Sequence, residues 1–293
     1  MKSAFVFPGQ GSQFIGMGKG LAEEHLDLAS QVLGFDLKRI CFEGPDEELK
    51  RTEITQPAIL TISVAAFDFL KKKGIPNPDA VAGHSLGEYS ALVAASALSF
   101  PDAVKLVHLR GKYMQAAVPL GQGTMAAVLG LGKAQIEDCC KKALSAGIVS
   151  AANYNSPGQV VISGQTEAVA KASEFCKEAG AKRVIPLQVS APFHSPLMQP
   201  AADKLKVELD KIEVRDASIP VVSNVTANYV TQSEEIKSLL IKQVTGSVLW
   251  ENSIQKMIQD GITKFTEVGP GNVLSGLIKK IDKNVEVGLY SEL

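Results

Sequence analysis

Asp79-Ala80-Val81-Ala82-Gly83-His84-Ser85-Leu86-Gly87-Glu88-Tyr89 decides how this chain folds. Asp79–Gly83 reads as a short buried strand, and the alanine-rich stretch Leu86–Ala97 reads as a helix. Ser85 falls at their junction, with Gly83 and Gly87 two residues away on either side. A sharp strand-to-helix turn brings backbone against backbone, and only small flanking residues avoid a clash there. Such a turn lifts the Ser85 hydroxyl above a sheet edge. It also sets the hydroxyl at a helix N-terminus, whose outward N–H groups favour developing negative charge. The competing role is a plain N-cap, which serine favours.

Working outward, Ala4–Phe7 predicts another short buried strand, closed by Pro8-Gly9, with a polar glycine-rich stretch from Gln10 to Gly20 after it. Helical segments follow, the clearest being Pro57–Lys73, ended by Lys71-Lys72-Lys73-Gly74. Pro101–Ala117 is a further helix with proline in its first turn. The middle of the chain changes rhythm. Met125–Leu129, Val149–Asn153, Gln159–Ser163 and Arg183–Val189 read as strands, and Ala134–Ser145 and Glu167–Ala179 as helices. Asn155-Ser156-Pro157-Gly158 is a hairpin signal between the second and third strands. The order β-α-β-β-α-β predicts a ferredoxin-like unit, flanked by hinges at Gly121-Gln122-Gly123 and Ser190-Ala191-Pro192. Alternation then resumes, with helices at Pro196–Ile212, Ser233–Val244, Trp250–Gln259 and Gly271–Ile281. The strands between them are Ile219–Ser223, Lys264–Val268 and Val285–Leu289. The expected fold is α/β with a mostly parallel sheet. A large domain of residues 1–123 and 191–293 is interrupted by an inserted subdomain, 124–190.

The 293 residues are enough for a sizeable core, and 45% apolar and 21% charged residues are ordinary for a globular protein. A net charge of −1 argues against a chain built around a nucleic-acid backbone. Cys41, Cys139, Cys140 and Cys176 contain no C-x-x-C pair, which suits neither a zinc site nor a redox motif; free thiols in a reducing compartment are expected. The N-terminal apolar run is too short for a signal peptide, and no run approaches the ~20 residues of a spanning helix. These features predict a soluble, cytoplasmic protein.

A serine nucleophile needs a base, and histidine is the usual one. His84 adjoins Ser85 and is expected to point elsewhere. His25 lies beside Glu23 and Glu24 and is expected to be solvated. His108 falls with Lys105, Lys112 and Gln115 on what reads as a solvent face. His194 differs, because Ser190-Ala191-Pro192-Phe193-His194-Ser195-Pro196 is an irregular loop before a helix, where catalytic groups tend to sit. Its alternative is a loop histidine bonded to backbone. No acid completes a triad: nothing singles out Asp203 or Glu208, and a backbone or amide carbonyl could orient the imidazole instead. Arg110 is the most informative charge. It lies on the apolar stripe of its helix, among Leu106, Val107, Tyr113 and Met114, with no acid one turn away. A guanidinium facing the interior needs a carboxylate or phosphate. A distant structural ion pair, snorkelling to the surface, and a grip on a substrate carboxylate are all open.

Several segments recur together in one family: Phe7-Pro8-Gly9-Gln10-Gly11-Ser12-Gln13, Thr55-Gln56-Pro57-Ala58, Gly83-His84-Ser85-Leu86-Gly87-Glu88-Tyr89 and Arg110. With them go Asn153-Tyr154-Asn155-Ser156-Pro157-Gly158-Gln159, Ser190-Ala191-Pro192-Phe193-His194 and Glu267-Val268-Gly269-Pro270-Gly271. Over nearly its whole length the chain resembles the malonyl-CoA:acyl carrier protein transacylases of bacterial fatty acid synthesis. The resemblance implies an α/β-hydrolase-like large lobe with an inserted ferredoxin-like lobe. It implies that Ser85 is acylated by malonyl-CoA, with His194 as base and acid, and that the malonyl group passes to the phosphopantetheine of acyl carrier protein. Gln10 and the Leu86 N–H would stabilise the oxyanion, Arg110 would bind the malonyl carboxylate, and Gln243 would orient His194 through its carbonyl. Gln56 and Asn153 would line the site. No cofactor or metal is implied, no nucleic-acid or membrane partner, and a monomer is expected. Polyketide systems use similar enzymes, and a compact standalone chain suits fatty acid synthesis. The elbow alone leaves a serine thioesterase or hydrolase open. A non-catalytic carrier-binding module, using Lys182-Arg183 and Lys279-Lys280, is the third possibility, and Ser85 with His194 argues against it.

Overall fold

The computed structural model describes residues 2–189 and 191–292. Ser190, which opens the second expected hinge, lies outside the described residues. In chain order the elements are β1 (Lys2–Phe7), α1 (Glu23–Leu33), α2 (Leu37–Glu43), α3 (Asp46–Leu49), α4 (Thr52–Lys72), β2 (Ala80–Gly83), α5 (Gly87–Ala94) and α6 (Phe100–Ala116). There follow β3 (Gly123–Leu129), α7 (Lys133–Lys142), β4 (Val149–Ser156), β5 (Gln159–Gln165), α8 (Thr166–Glu178) and β6 (Arg183–Pro186). The chain closes with α9 (Gln199–Leu209), β7 (Val221–Val222), β8 (Tyr229–Val230), α10 (Ser233–Thr245), α11 (Trp250–Gln259), β9 (Ile262–Glu267), α12 (Val273–Ile281) and β10 (Glu286–Leu289).

Two sheets result. One runs β10-β9-β1-β2-β7-β8 and is parallel except where β7 meets β8. Its central strands β1 and β2 bury apolar residues on both faces, as a sheet covered on both sides by helices requires. The other is antiparallel, in the order β4-β5-β3-β6. With α7 and α8 as its two crossovers, that is the ferredoxin-like arrangement the β-α-β-β-α-β rhythm predicts. Pro157-Gly158 makes the tight turn between β4 and β5, with Gly158 at φ 70°. Gly123 packs on Pro192, so the expected hinge segments touch: a Cβ on Gly123 would sit 2.4 Å from the proline ring. The inserted sheet is also tied to the segment between α10 and α11, where Tyr154 N–H donates to Val248 O at 2.9 Å and Val248 N–H to Ala152 O at 2.8 Å.

Several boundaries differ from the sequence expectation. Helix α4 begins at Thr52 and holds Pro57 in its interior. Proline there leaves the Glu53 carbonyl without its usual N–H, and His108 Nδ1 supplies the missing donor at 2.8 Å. By length and composition α4 could cross a membrane, but most of its apolar stretch is buried inside the fold, so it is a core helix. Strand β7 is only two residues long, and β8 pairs with it as a two-residue edge too short to leave a periodic signal. Pro196–Met198 forms a single 3-10 turn before α9, where one continuous helix was expected.

Candidate active site

Strand β2 ends at the carboxyl edge of the parallel sheet, where α/β folds place their ligand crevices. The turn into α5 is as tight as the glycines suggest. A Cβ on Gly83 would lie 1.9 Å from the backbone of Gly87, and one on Gly87 would lie 2.1 Å from Phe7 O. Ser85 adopts φ 51°, left-handed for a residue with a side chain, a strained state that surrounding bonds must over-determine. Asn224, just past β7, supplies them: its Oδ1 accepts from Ser85 N–H at 2.7 Å and its Nδ2 donates to Gly83 O at 2.6 Å. The N-cap of α5 is Leu86 and makes no side-chain cap bond. The Ser85 hydroxyl is therefore free of capping and points into a cleft of about 120 Å³.

His194 also takes a left-handed backbone, φ 57°, in a loop whose turn is fixed by Ser195 Oγ donating to Pro192 O at 2.7 Å. Its Nε2 lies 2.7 Å from Ser85 Oγ. Its Nδ1 faces two carbonyls, Gln243 O at 2.9 Å and Gly246 O at 3.1 Å. Carbonyls only accept, so Nδ1 carries the proton and Nε2 is left as the acceptor for the serine O–H. Thus no carboxylate is needed behind the histidine; Asp203 bonds Gln199 and Glu208 bonds Tyr113 and Lys211 instead. Burial, followed by the nearby charge of Arg110, pushes the imidazole down to about 3. It stays a neutral acceptor at any ordinary pH.

Arg110 is 1% exposed. Gly111 lets α6 close on the first turn of α4, since a Cβ there would meet Thr52 O at 2.7 Å. That contact brings Arg110 to Gln56. The guanidinium donates to Gln56 Oε1 at 2.8 Å, Gln243 Oε1 at 2.9 Å and Ser85 Oγ at 3.1 Å, and its carbon lies 5.4 Å from the Tyr89 ring centre. Every one of these hydrogen-bond acceptors is neutral. Among the described residues no carboxylate forms an ion pair with Arg110, so the direct structural pair is not present. A buried cation beside a serine hydroxyl, in an open cleft, can accept an anion from outside.

Gln10, Gln56, Asn153 and His84 line the same cleft, with Met114, Met125, Leu187, Val189 and Phe193 as its apolar walls. Gln10 enters from the loop after β1 and is exposed; the Leu86 N–H opens the first turn of α5 beside Ser85. The expected site residues thus fall in one place. Two histidines depart from expectation. His25 is not solvated, because its Nε2 meets Asp68 at 3.0 Å and its ring packs edge-on against Phe100; this contact lowers the Asp68 carboxyl below its ordinary range. His108 is partly buried through its bond to Glu53 O and its packing on Phe35. His84 does point away from the serine, to Asn155 Oδ1 at 2.8 Å and against Trp250.

The acyl transferase domain family matches residues 4–288. The malonyl CoA-acyl carrier protein transacylase of Bacillus subtilis (strain 168) is 52% identical over 298 residues, covering 99% of this chain and 94% of the relative. The chain belongs to the malonyl CoA-acyl carrier protein transacylase family. An acyl carrier protein S-malonyltransferase from Vibrio cholerae superposes with TM-score 0.96 at 46% identity, covering 99% of this chain and 96% of that one. A malonyl-transacylase solved in complex with a type II PKS acyl-carrier protein superposes with TM-score 0.95 at 45% identity, covering 99% and 95%.

For a member of this transacylase family, the carbonyl role expected of Gln243 is present in the geometry, whereas its side-chain role, Asn224 and Glu88 have no place in the sequence reading. Gln243 Nε2 donates to Ser85 O at 2.9 Å and to Glu88 Oε2 at 2.8 Å, so its side chain ties elbow, Arg110 and Glu88 together. Asn224 carried one available signal: a polar residue directly after a strand, at the sheet edge where ligand crevices form. Glu88 gave none, since an acid in the first turn of a helix is commonplace.

Proposed function

We propose that the chain transfers a malonyl group from malonyl-CoA to the phosphopantetheine thiol of acyl carrier protein through a malonyl ester on Ser85. One observation carries this reading: the Ser85 hydroxyl lies between an imidazole oriented to take its proton and a buried guanidinium that no carboxylate among the described residues contacts directly. The malonyl carboxylate takes its place on Arg110, displacing the weaker contact to Ser85. Ser85 Oγ attacks the thioester carbon as its proton passes to His194 Nε2. The tetrahedral oxyanion is held between Gln10 and the Leu86 N–H, one such donor being commonly worth ~3–4 kcal/mol. Collapse breaks the carbon–sulfur bond, and the leaving CoA sulfur takes the proton from His194. The carrier thiol then gives its proton to His194 and attacks the ester carbonyl, and Ser85 leaves and regains the proton. The carbonyls of Gln243 and Gly246 hold His194 in the required tautomer throughout, and Gln56 and Asn153 shape the acyl pocket.

Malonyl-CoA is a substrate, and the phosphopantetheine belongs to the partner, so the reading assigns no resident cofactor and no metal ligands. Residues 124–190 act as an inserted lobe closing one side of the cleft over the domain of residues 1–123 and 191–293. The product supplies the extender unit for fatty acid synthesis, in the cytoplasm, with the chain working as a monomer. The test is an acyl-transfer assay with holo-carrier protein, comparing malonyl-CoA with acetyl-CoA and following free CoA and acylated carrier together. Malonyl transfer with matching CoA release, slow release without carrier and little acetyl transfer support the reading. Fast CoA release without carrier would instead make the chain a thioesterase.

A further inference from the structure

The reaction described above uses one buried charge, Arg110, and leaves a second without a task. Glu88 lies in the first turn of α5, buried at 2% exposure. Its Oε2 accepts from Asn224 N–H at 3.1 Å and from Gln243 Nε2 at 2.8 Å. The other end of that Gln243 amide, Oε1, accepts from Arg110 Nη2 at 2.9 Å. One amide therefore joins a carboxylate to a guanidinium, and the order is fixed because its NH₂ must face the acceptor and its oxygen the donor. Arg110 from α6, with Tyr89 beside Glu88 on α5, are the charged or titratable groups that act on Glu88 among the described residues. Helix α10 and the segment after β7 present the amides Gln243 and Asn224. The buried residues of β1, β2, β7 and α4 include no titratable side chain.

We propose that Glu88 is the proton-linked counter-charge of Arg110: it takes up a proton when an acyl carboxylate seats on the guanidinium and returns it when the acyl group leaves. The proposal rests on the malonyl-transfer reading and adds a positioning residue to it. One buried cation balances one buried anion. In the empty cleft that anion is the ionised form of Glu88, about half of the population at pH 7, relayed through Gln243. With a malonyl carboxylate on Arg110, an ionised Glu88 would leave the closed site with an excess negative charge, and a protonated one leaves it neutral. The geometry accommodates the proton. Both hydrogen bonds to Glu88 fall on Oε2, so Oε1 can be protonated with neither bond broken. Burial already pushes this carboxyl up to about 7, against the hydrogen bonds from Gln243 and Asn224 N–H and then the charge of Arg110. A carboxylate on Arg110 offsets that charge and pushes the carboxyl higher. Acetyl groups carry no carboxylate and leave Glu88 as it was.

The test is calorimetric titration of malonyl-CoA and acetyl-CoA into the Ser85→Ala protein at pH 7, in paired buffers of unlike ionisation enthalpy. Acetyl-CoA corrects for protons that the shared CoA phosphates exchange. A malonyl-specific uptake of up to about half a proton is expected, from a group that is about half ionised at that pH. In Ser85→Ala/Glu88→Gln, which keeps the acceptor oxygen and removes the charge, the uptake falls to zero. Equal uptake for the two thioesters, or malonyl-specific uptake that survives Glu88→Gln, overturns the proposal and leaves the transfer reading standing. Failure of malonyl-CoA to bind at all overturns both. If the glutamine variant does not fold, Ser85→Ala/His194→Ala decides: uptake retained without the imidazole supports Glu88, and uptake lost overturns it.

Discussion

Replacing Arg110 with alanine should convert a malonyl-selective enzyme into an unselective and weakened one. The side chain is 1% exposed and donates three hydrogen bonds, to Gln56, Gln243 and Ser85. Burial at this level removes solvent screening, so the loss of one partner of a buried charge pair, ~2–5 kcal/mol, applies without discount. At 1.4 kcal/mol per factor of ten, that is about 30-fold to several thousand-fold in kcat/KM for malonyl-CoA. Acetyl-CoA has no carboxylate to lose. Its reaction suffers only through the Gln56 and Gln243 oxygens left unpaired, and water entering the vacated space can satisfy them. The malonyl-to-acetyl ratio of kcat/KM, measured by carrier acylation, is therefore the readout, and it should fall at least tenfold. Equal losses for both substrates, or malonyl turnover within a factor of about three of the parent, would show that Arg110 only props up Gln243 and Gln56.

Further expectations follow from the same geometry. Because burial and Arg110 hold His194 down to about 3, kcat/KM should show no acid limb near the ordinary imidazole value; rates of CoA release from pH 8 to 5 check this, and half-maximal activity near pH 6.5 contradicts it. Glu88 at about 7, against its ordinary 4.5, means the folded protein holds a proton that the unfolded chain has lost between those values. The stability from this group is thus present below about pH 4.5 and is lost as pH rises to 7, by about 3 kcal/mol at most. Denaturant unfolding of Glu88→Gln should lack that part of the pH slope, and an unchanged slope sinks the assignment. Gly83→Ala places a methyl 1.9 Å from the Gly87 backbone, which should cost about 3 kcal/mol or more. Calorimetric melting reads the loss, and an unchanged midpoint would mean the elbow has slack that the packing denies.

What was legible in the chain beforehand was local and periodic. The elbow was readable because Gly83 and Gly87 sit where backbones collide, and the inserted lobe because Pro157-Gly158 punctuates strands of clear alternation. Arg110 was readable because a cation on an apolar stripe contradicts its surroundings. In the structure it meets three neutral acceptors where the sequence predicts a carboxylate or phosphate. Features decided by distant partners were not legible. His25 and His108 looked solvated from their charged neighbours in sequence. Asp68, 43 residues on, and the Glu53 carbonyl, 55 residues back, reach them in the fold. Glu88 resembled an ordinary first-turn acid, and its burial depends on Asn224 and Gln243, 136 and 155 residues away. Pro57 suggested a helix start, yet α4 runs through it because His108 occupies the carbonyl that proline leaves open.

The most direct measurement of the central claim is intact-protein mass spectrometry after mixing with malonyl-CoA alone, then with holo-carrier. The expected result is a mass gain of about 86 Da, mapped to Ser85, absent in Ser85→Ala and discharged when the carrier thiol is added. No adduct on Ser85, or an adduct that persists in Ser85→Ala, would contradict it.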